Sequence, residues 1–152
     1  MLRAVCQRTL EWVRFRGDPF RCVVVFMDYR GGFDLKRRVL IVDDIADVRL
    51  MLRCIIEKEN YQIVGEAADG VEAVEQYCEH LPDITIMDID MPFKDGVQAA
   101  REILAHRSDA RIILCSGSIR NYDIGSLQLG ASVNSIIRKP FLPSQLYQAM
   151  NM

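Results

Sequence analysis

From residue 37 onward, short apolar runs alternate with longer stretches whose apolar positions recur at helical spacing. The runs predict strands over 38–43, 61–65, 83–88, 111–116 and 133–138, and the periodic stretches predict helices over 45–59, 70–80, 95–107, 121–129 and 142–150. Runs such as Val39-Leu40-Ile41-Val42 and Ile112-Ile113-Leu114-Cys115 are apolar at every position. A strand reads this way when both its faces are covered, as in a parallel sheet. Five such strand and helix units predict a doubly wound α/β fold, a five-stranded parallel sheet flanked by five helices, with right-handed crossovers. Punctuation agrees: Asp69-Gly70 precedes one helix, Leu81-Pro82 ends it, and Pro92 with Asp95-Gly96 forms the loop before the next. The stripes Val71, Ala73, Val74, Tyr77 and Val97, Ala100, Ile103, Leu104 are read as core.

Residues 1–36 follow a different pattern and are read as an N-terminal extension to a domain spanning 37–152. Leu2, Val5, Cys6, Thr9, Leu10 and Val13 have rough helical spacing, Gly17-Asp18-Pro19 is a turn, 20–27 is strand-like and Gly31-Gly32 resembles a linker. The extension holds seven Arg or Lys against four acids, a charge of +3, whereas 37–152 holds twelve against seventeen, a charge of -5. Three readings stand: an ordered helix and strand, a flexible basic arm, or upstream sequence translated ahead of a later start such as Met27. An uncovered Cys22-Val23-Val24-Val25-Phe26 segment would invite edge pairing.

Composition narrows the function. The chain has 152 residues, half of them apolar and about a quarter charged, with a formal net charge of -2. That suits one globular domain and gives no global field favouring nucleic acid or a membrane surface as partner. No run is long enough to span a bilayer, and Arg3, Arg8, Glu11, Arg14 and Arg16 leave no apolar core for a secretory signal, so a cytoplasmic address is expected. The five cysteines at 6, 22, 54, 78 and 115 contain no C-x-x-C and are odd in number. They read as reduced thiols packed as small apolar groups. His80 and His106 read as surface residues near helix ends.

The chemistry lies at strand ends. Asp43-Asp44 closes the first strand, Asp88 closes Ile84-Thr85-Ile86-Met87, Ser116 closes the fourth strand, and Lys139-Pro140 follows the fifth. In an open parallel sheet, ligands sit at the strand carboxyl ends, so these residues are expected to share one pocket. A carboxylate such as Asp88 can take a phosphoryl group as a mixed anhydride. Asp43 and Asp44 beside it would repel both Asp88 and a phosphate dianion, which calls for a divalent cation; all-oxygen ligation suits Mg²⁺. Lys139 can pair with one phosphate oxygen, and the Ser116 hydroxyl can donate to another.

Val39-Leu40-Ile41-Val42-Asp43-Asp44, Ile86-Met87-Asp88-Ile89-Asp90-Met91-Pro92 with Asp95-Gly96, Ile113-Leu114-Cys115-Ser116-Gly117, and Gly130-Ala131 with Arg138-Lys139-Pro140-Phe141 together resemble, in order, the receiver domains of bacterial two-component response regulators. The resemblance covers about residues 37–151. It implies a CheY-like, flavodoxin-like fold that accepts phosphate from a histidine kinase or phosphotransfer protein. It further implies Asp88 as phosphoacceptor and Mg²⁺ ligand, Asp44 as a direct Mg²⁺ ligand, Asp43 as a largely water-mediated one, and the Asp90 backbone carbonyl as the third protein ligand. Ser116 matches the family's switch hydroxyl and Lys139 its phosphate-binding lysine. No output domain is expected after Met152, and the resemblance then implies a stand-alone receiver acting on a protein target, through the face of its fourth helix, fifth strand and fifth helix. That face would also carry any homodimer.

Two departures accompany the match. From Gly130 to Lys139 the offset is nine residues where the family has seven, which suggests a two-residue insertion near 132–135, and Ile136 stands where the family carries its switch aromatic. Asp90 adds a further acid at the pocket mouth, where it would alter the lifetime of the phosphoryl group. Two other classes remain open: a receiver-like module that binds partners without phosphorylation, and a haloacid-dehalogenase-like phosphatase using Asp88-Ile89-Asp90. Against the phosphatase, the acid pair precedes the nucleophile strand and there is no room for a cap domain.

Overall fold

The structure, a computed structural model, describes residues 9–11, 23–25, 36–117 and 133–152. The chain divides into two compact units, Met1–Leu35 and Lys36–Met152. In the first, Thr9–Glu11 (β1) pairs antiparallel with Val23–Val25 (β2), Leu10 lying opposite Val24. The strand-like reading of 20–27 therefore holds at Val23–Val25, but the helical reading of the Leu2 to Val13 spacing does not hold at Thr9–Glu11. Pairing gives the backbone groups of both segments hydrogen-bond partners, which favours extension over a short amphipathic turn.

The second unit is built on five parallel strands. Arg37–Val42 (β3), Tyr61–Ala67 (β4), Ile84–Asp88 (β5), Ile112–Ser116 (β6) and Val133–Arg138 (β7) form one sheet in the order β4-β3-β5-β6-β7. Within this unit that is the order 2-1-3-4-5 of flavodoxin-like folds. All residues of β5 and β6 are buried, as their unbroken apolar runs require. The helices among the described residues are Ala46–Ile56 (α1), Gly70–His80 (α2), Gly96–His106 (α3) and Pro143–Asn151 (α4). The helix predicted over 121–129 lies outside the described residues.

Alternation along the strands sorts the core into two layers. Val39, Ile41, Ile86, Ile113 and Ile137 pack with Leu52 and Ile56 of α1 and Leu146, Ala149 and Met150 of α4. Leu40, Val42, Met87 and Leu114 pack with Ala73, Val74 and Tyr77 of α2 and with Ala99, Ala100 and Ile103 of α3 on the opposite face. On α2 the buried positions are Gly70, Ala73, Val74 and Tyr77, a stripe at i, i+3, i+4 and i+7. Val71, read as part of the core stripe, falls off it and is exposed.

Local caps fix where the helices start and stop. The Asp69 carboxylate accepts from the backbone N–H groups of Val71 (2.7 Å) and Glu72 (2.9 Å), and Leu81 ends α2 in the left-handed region before Pro82. Asp95 accepts from Gln98 N–H at 2.8 Å at the start of α3. His80 and His106 close α2 and α3, as their reading near helix ends anticipates. Of the described cysteines only Cys115 is buried; Cys54 and Cys78 are exposed, contrary to the reading of all as packed thiols, because each lies on the solvent side of an amphipathic helix. Among the described residues, no helix is long and apolar enough to cross a membrane.

Candidate functional site

The central strands β3 and β5 are neighbours, with Val42 beside Met87, but the chain leaves them toward opposite edges of the sheet: β4 flanks β3, and β6 flanks β5. Such a switch point leaves a crevice at the carboxyl ends. One residue beyond the Val42 and Met87 pair stand Asp43 and Asp88. Together with Asp44 they place one carboxylate oxygen each within 4.8 Å of one another. Asp43 and Asp88 are buried and Asp44 is exposed. Lys139 follows the last residue of the edge strand β7; its backbone N–H donates to the Ser116 carbonyl at 2.8 Å, and its side chain crosses to the acids. The ammonium lies 2.5 Å from Asp43 Oδ2 and 3.0 Å from Asp88 Oδ1.

The charges do not balance. Three ionised carboxylates against one ammonium leave two negative charges in excess, and at 4.8 Å or closer each carboxylate pair repels by about 3 kcal/mol at an effective dielectric of about 20. Burial raises the Asp88 pKa; contact with Lys139 works the other way, and the charges of Asp43 and Asp90 raise it further. Burial works against the Lys139 ammonium too, but its hydrogen bond to Asp43 and its ionic contact with Asp88 outweigh that and raise its pKa. Asp88 Oδ1 remains a buried acceptor with no aligned hydrogen bond, despite its ionic contact with the lysine. Hard oxygen donors, excess negative charge, an orphaned acceptor and one solvent-facing acid together fit Mg²⁺, which retains several waters. Burial pushes the neighbouring Cys115 thiol up to about 12, so it stays protonated and takes no part.

Two glycines let backbone approach backbone around this crevice. A Cβ on Gly96 would sit 2.0 Å from the Asp88 carbonyl oxygen, and one on Gly70 would sit 2.4 Å from that of Lys94. Gly70 N–H bonds that Lys94 carbonyl at 3.1 Å, and Gly96 N–H bonds the Ile89 carbonyl at 3.0 Å. The loop carrying Asp90 is thus clamped between the starts of α2 and α3. Ser116 is fully buried and donates to Asp90 Oδ2 at 3.3 Å.

Residues 39–151 match the response regulator receiver domain family. The chain belongs to that family. This receiver is 46% identical over 116 residues to chemotaxis protein CheY of Thermotoga maritima, covering 76% of this chain and 95% of that protein. It is 42% identical over 118 residues to CheY of Bacillus subtilis, covering 77% and 97% respectively. Among solved structures it resembles the CheX–CheY–BeF3–Mg²⁺ complex from Borrelia burgdorferi at a TM-score of 0.70 and 32% identity, covering 75% of this chain and 86% of that one. The expected CheY-like fold and two-component class stand. Receivers are signalling modules rather than turnover enzymes.

The structure brings together Asp43, Asp44, Asp88 and Lys139, all singled out in the sequence. Ser116 lies at the end of the adjacent strand, with its hydroxyl on Asp90. The Asp90 carboxylate is outside the trio of acids. Where the sequence suggests an insertion, the β6 and β7 register slips from Ile112 opposite Val133 to Ile113 opposite Ser135, so Asn134 is one extra residue in the strand. Ile136 is partly buried against the layer formed by α2 and α3. Sequence reasoning missed Arg49 of α1, whose guanidinium donates to the Asp43 carbonyl at 2.7 Å. The only signal was an arginine in the first turn after the acid pair, and such a residue usually belongs to a solvated face.

Proposed function

We propose that this receiver takes a phosphoryl group on Asp88 from a phosphohistidine of a kinase or phosphotransfer protein, in the cytoplasm, and thereby alters a protein-binding surface. The observation that carries the reading is the close trio of acids with Lys139 3.0 Å from the buried Asp88 oxygen. An Asp88 carboxylate oxygen attacks phosphorus, the P–N bond to the donor imidazole breaks, and the imidazole nitrogen takes its proton from solvent; the product is a mixed anhydride. Asp43, Asp44, Asp88 and the Asp90 carbonyl would hold Mg²⁺. Bound there, Mg²⁺ supplies the positive charge that lets a phosphate dianion approach the acids. Lys139 pairs with a phosphoryl oxygen, a role its present contacts with two carboxylates pre-position it for. Ser116 donates to another phosphoryl oxygen after its hydroxyl leaves Asp90. The 32% identical CheY was crystallised with BeF3 and Mg²⁺, which supports the same chemistry here.

Acetyl phosphate with Mg²⁺ should add one phosphoryl group to the chain, releasing acetate, and Asp88→Asn should abolish the addition. Intact-mass and peptide mass spectrometry report both. Undiminished labelling of the Asn variant would move the acceptor elsewhere, with Asp90 next in line. Absence of labelling in the intact protein would favour a module that binds without phosphorylation.

A further inference from the structure

The two acids of the pair are held by different means. Asp43 is fixed by its side chain: Oδ2 meets Lys139 at 2.5 Å, and Oδ1 accepts from Ile45 N–H at 3.0 Å. The Asp44 carboxylate makes no hydrogen bond or ion pair with the described residues and faces solvent. Its direction therefore depends on its backbone. The Asp43 carbonyl and the Asp44 N–H belong to one rigid peptide plane, so an anchor on that carbonyl oxygen also orients Asp44. Arg49 is that anchor, donating from Nη1 at 2.7 Å. The guanidinium is itself braced: its Nε meets Glu66 Oε2 of β4 at 3.4 Å, and Glu66 in turn pairs with Arg53. Only 19% of the Arg49 side chain is exposed, so it is held in place rather than sampling solvent.

We propose that Arg49, braced by Glu66, is a positioning residue for the cation site: by fixing the peptide between Asp43 and Asp44 it aims the Asp44 carboxylate at the metal. This rests on the Mg²⁺ reading given above. Two effects of the arginine oppose each other. As a nearby positive charge it disfavours a divalent cation, so its loss should tighten binding; as an anchor it favours the cation, so its loss should weaken binding. The sign of the change therefore separates orientation from simple charge. Partners that orient metal ligands commonly contribute about 10-fold to 100-fold in affinity.

Calorimetric titration of the full chain with Mg²⁺ tests this. Arg49→Ala should weaken binding by about 10-fold or more, and Arg49→Lys, which can still donate to the carbonyl but cannot also bridge to Glu66, should recover part of the loss. In an Asp44→Asn background, Arg49→Ala should cost no further affinity. Unchanged or tighter binding in Arg49→Ala overturns the proposal, as does an equal further loss in the Asp44→Asn background. Should Arg49→Ala fail to fold, the near-isosteric Arg49→Met carries the same test: it also removes the positive charge, so weaker Mg²⁺ binding supports the anchor, and unchanged or tighter binding overturns it. A wild-type chain that binds no Mg²⁺ would sink the functional reading itself, an outcome distinct from wild-type binding that Arg49→Ala leaves intact.

Discussion

Asp88 is where burial and charge conflict most on this chain. Burial, and then the nearby acids, raise its folded pKa above the unfolded value of about 3.8 despite the help of Lys139. An acid with a raised folded pKa contributes stability that is present below the unfolded pKa and is lost as pH rises through the folded one. Asn has the same shape and never ionises, and Lys139 keeps Asp43 as partner. In Mg²⁺-free buffer, Asp88→Asn should therefore be more stable than wild type at about pH 7, with the gap closing as pH falls toward about 4. Urea melts at graded pH measure this; a gap that stays constant, or a less stable variant, would place the strain elsewhere. The site was legible in the sequence at this scale for a physical reason. Asp43, Asp88 and Ser116 each end an apolar run, and Lys139 follows one, so strand prediction alone brings them to one edge. The Ser116 bond to Asp90 and the Arg49 bond to a carbonyl depend on register and side-chain reach, which no spacing along the chain encodes.

Elements were legible where a cap or a stop fixes them. The helix predicted over 70–80 is observed at those bounds because Asp69 caps its start and Leu81 and Pro82 end it. The helix predicted over 45–59 stops at Ile56, as the chain turns through Glu57 and Lys58 to reach the edge strand β4. That strand runs on to Ala67, beyond the predicted 65, since β3 supplies partners through Val42 even where β4 is no longer apolar. What the sequence could not give is how closely the elements approach. Gly96 begins α3 against the backbone of Asp88, where an added Cβ would lie 2.0 Å from the carbonyl oxygen and 2.9 Å from its carbon. Backbone cannot rotate away as a long side chain can. Gly96→Ala should destabilise the fold by about 1–3 kcal/mol, the range for overpacking a tight site, and slow phosphorylation of Asp88 by shifting the strand end. Chemical denaturation together with acetyl phosphate labelling tests both; a variant of wild-type stability would mean that the loop yields more readily than its contacts allow.

On the scale of the molecule, the uneven charge sets the sign of the response to cations. Residues 37–152 carry a formal charge of -5, and the part of that charge at the carboxyl edge is concentrated in three acids within 4.8 Å. Unfolding disperses those acids, so a divalent cation binds the folded state in preference. Mass action then stabilises the fold by about 2.7 kcal/mol when free Mg²⁺ is a hundredfold above its dissociation constant. For a unit of this size that amounts to a rise in melting temperature on the order of 10 °C. Screening by salt would act on all surface charges and reach little of it, so the same ionic strength supplied as KCl should not reproduce the shift. Asp44→Asn should reduce the shift more than Asp43→Asn does, since Asp43 is already occupied by Lys139 at 2.5 Å whereas the exposed Asp44 carboxylate has no such partner among the described residues. Calorimetric scans of wild type and both variants, with and without saturating Mg²⁺, decide the matter. Equal melting temperatures for the wild-type chain in the two conditions would rule out a cation site at the carboxyl edge.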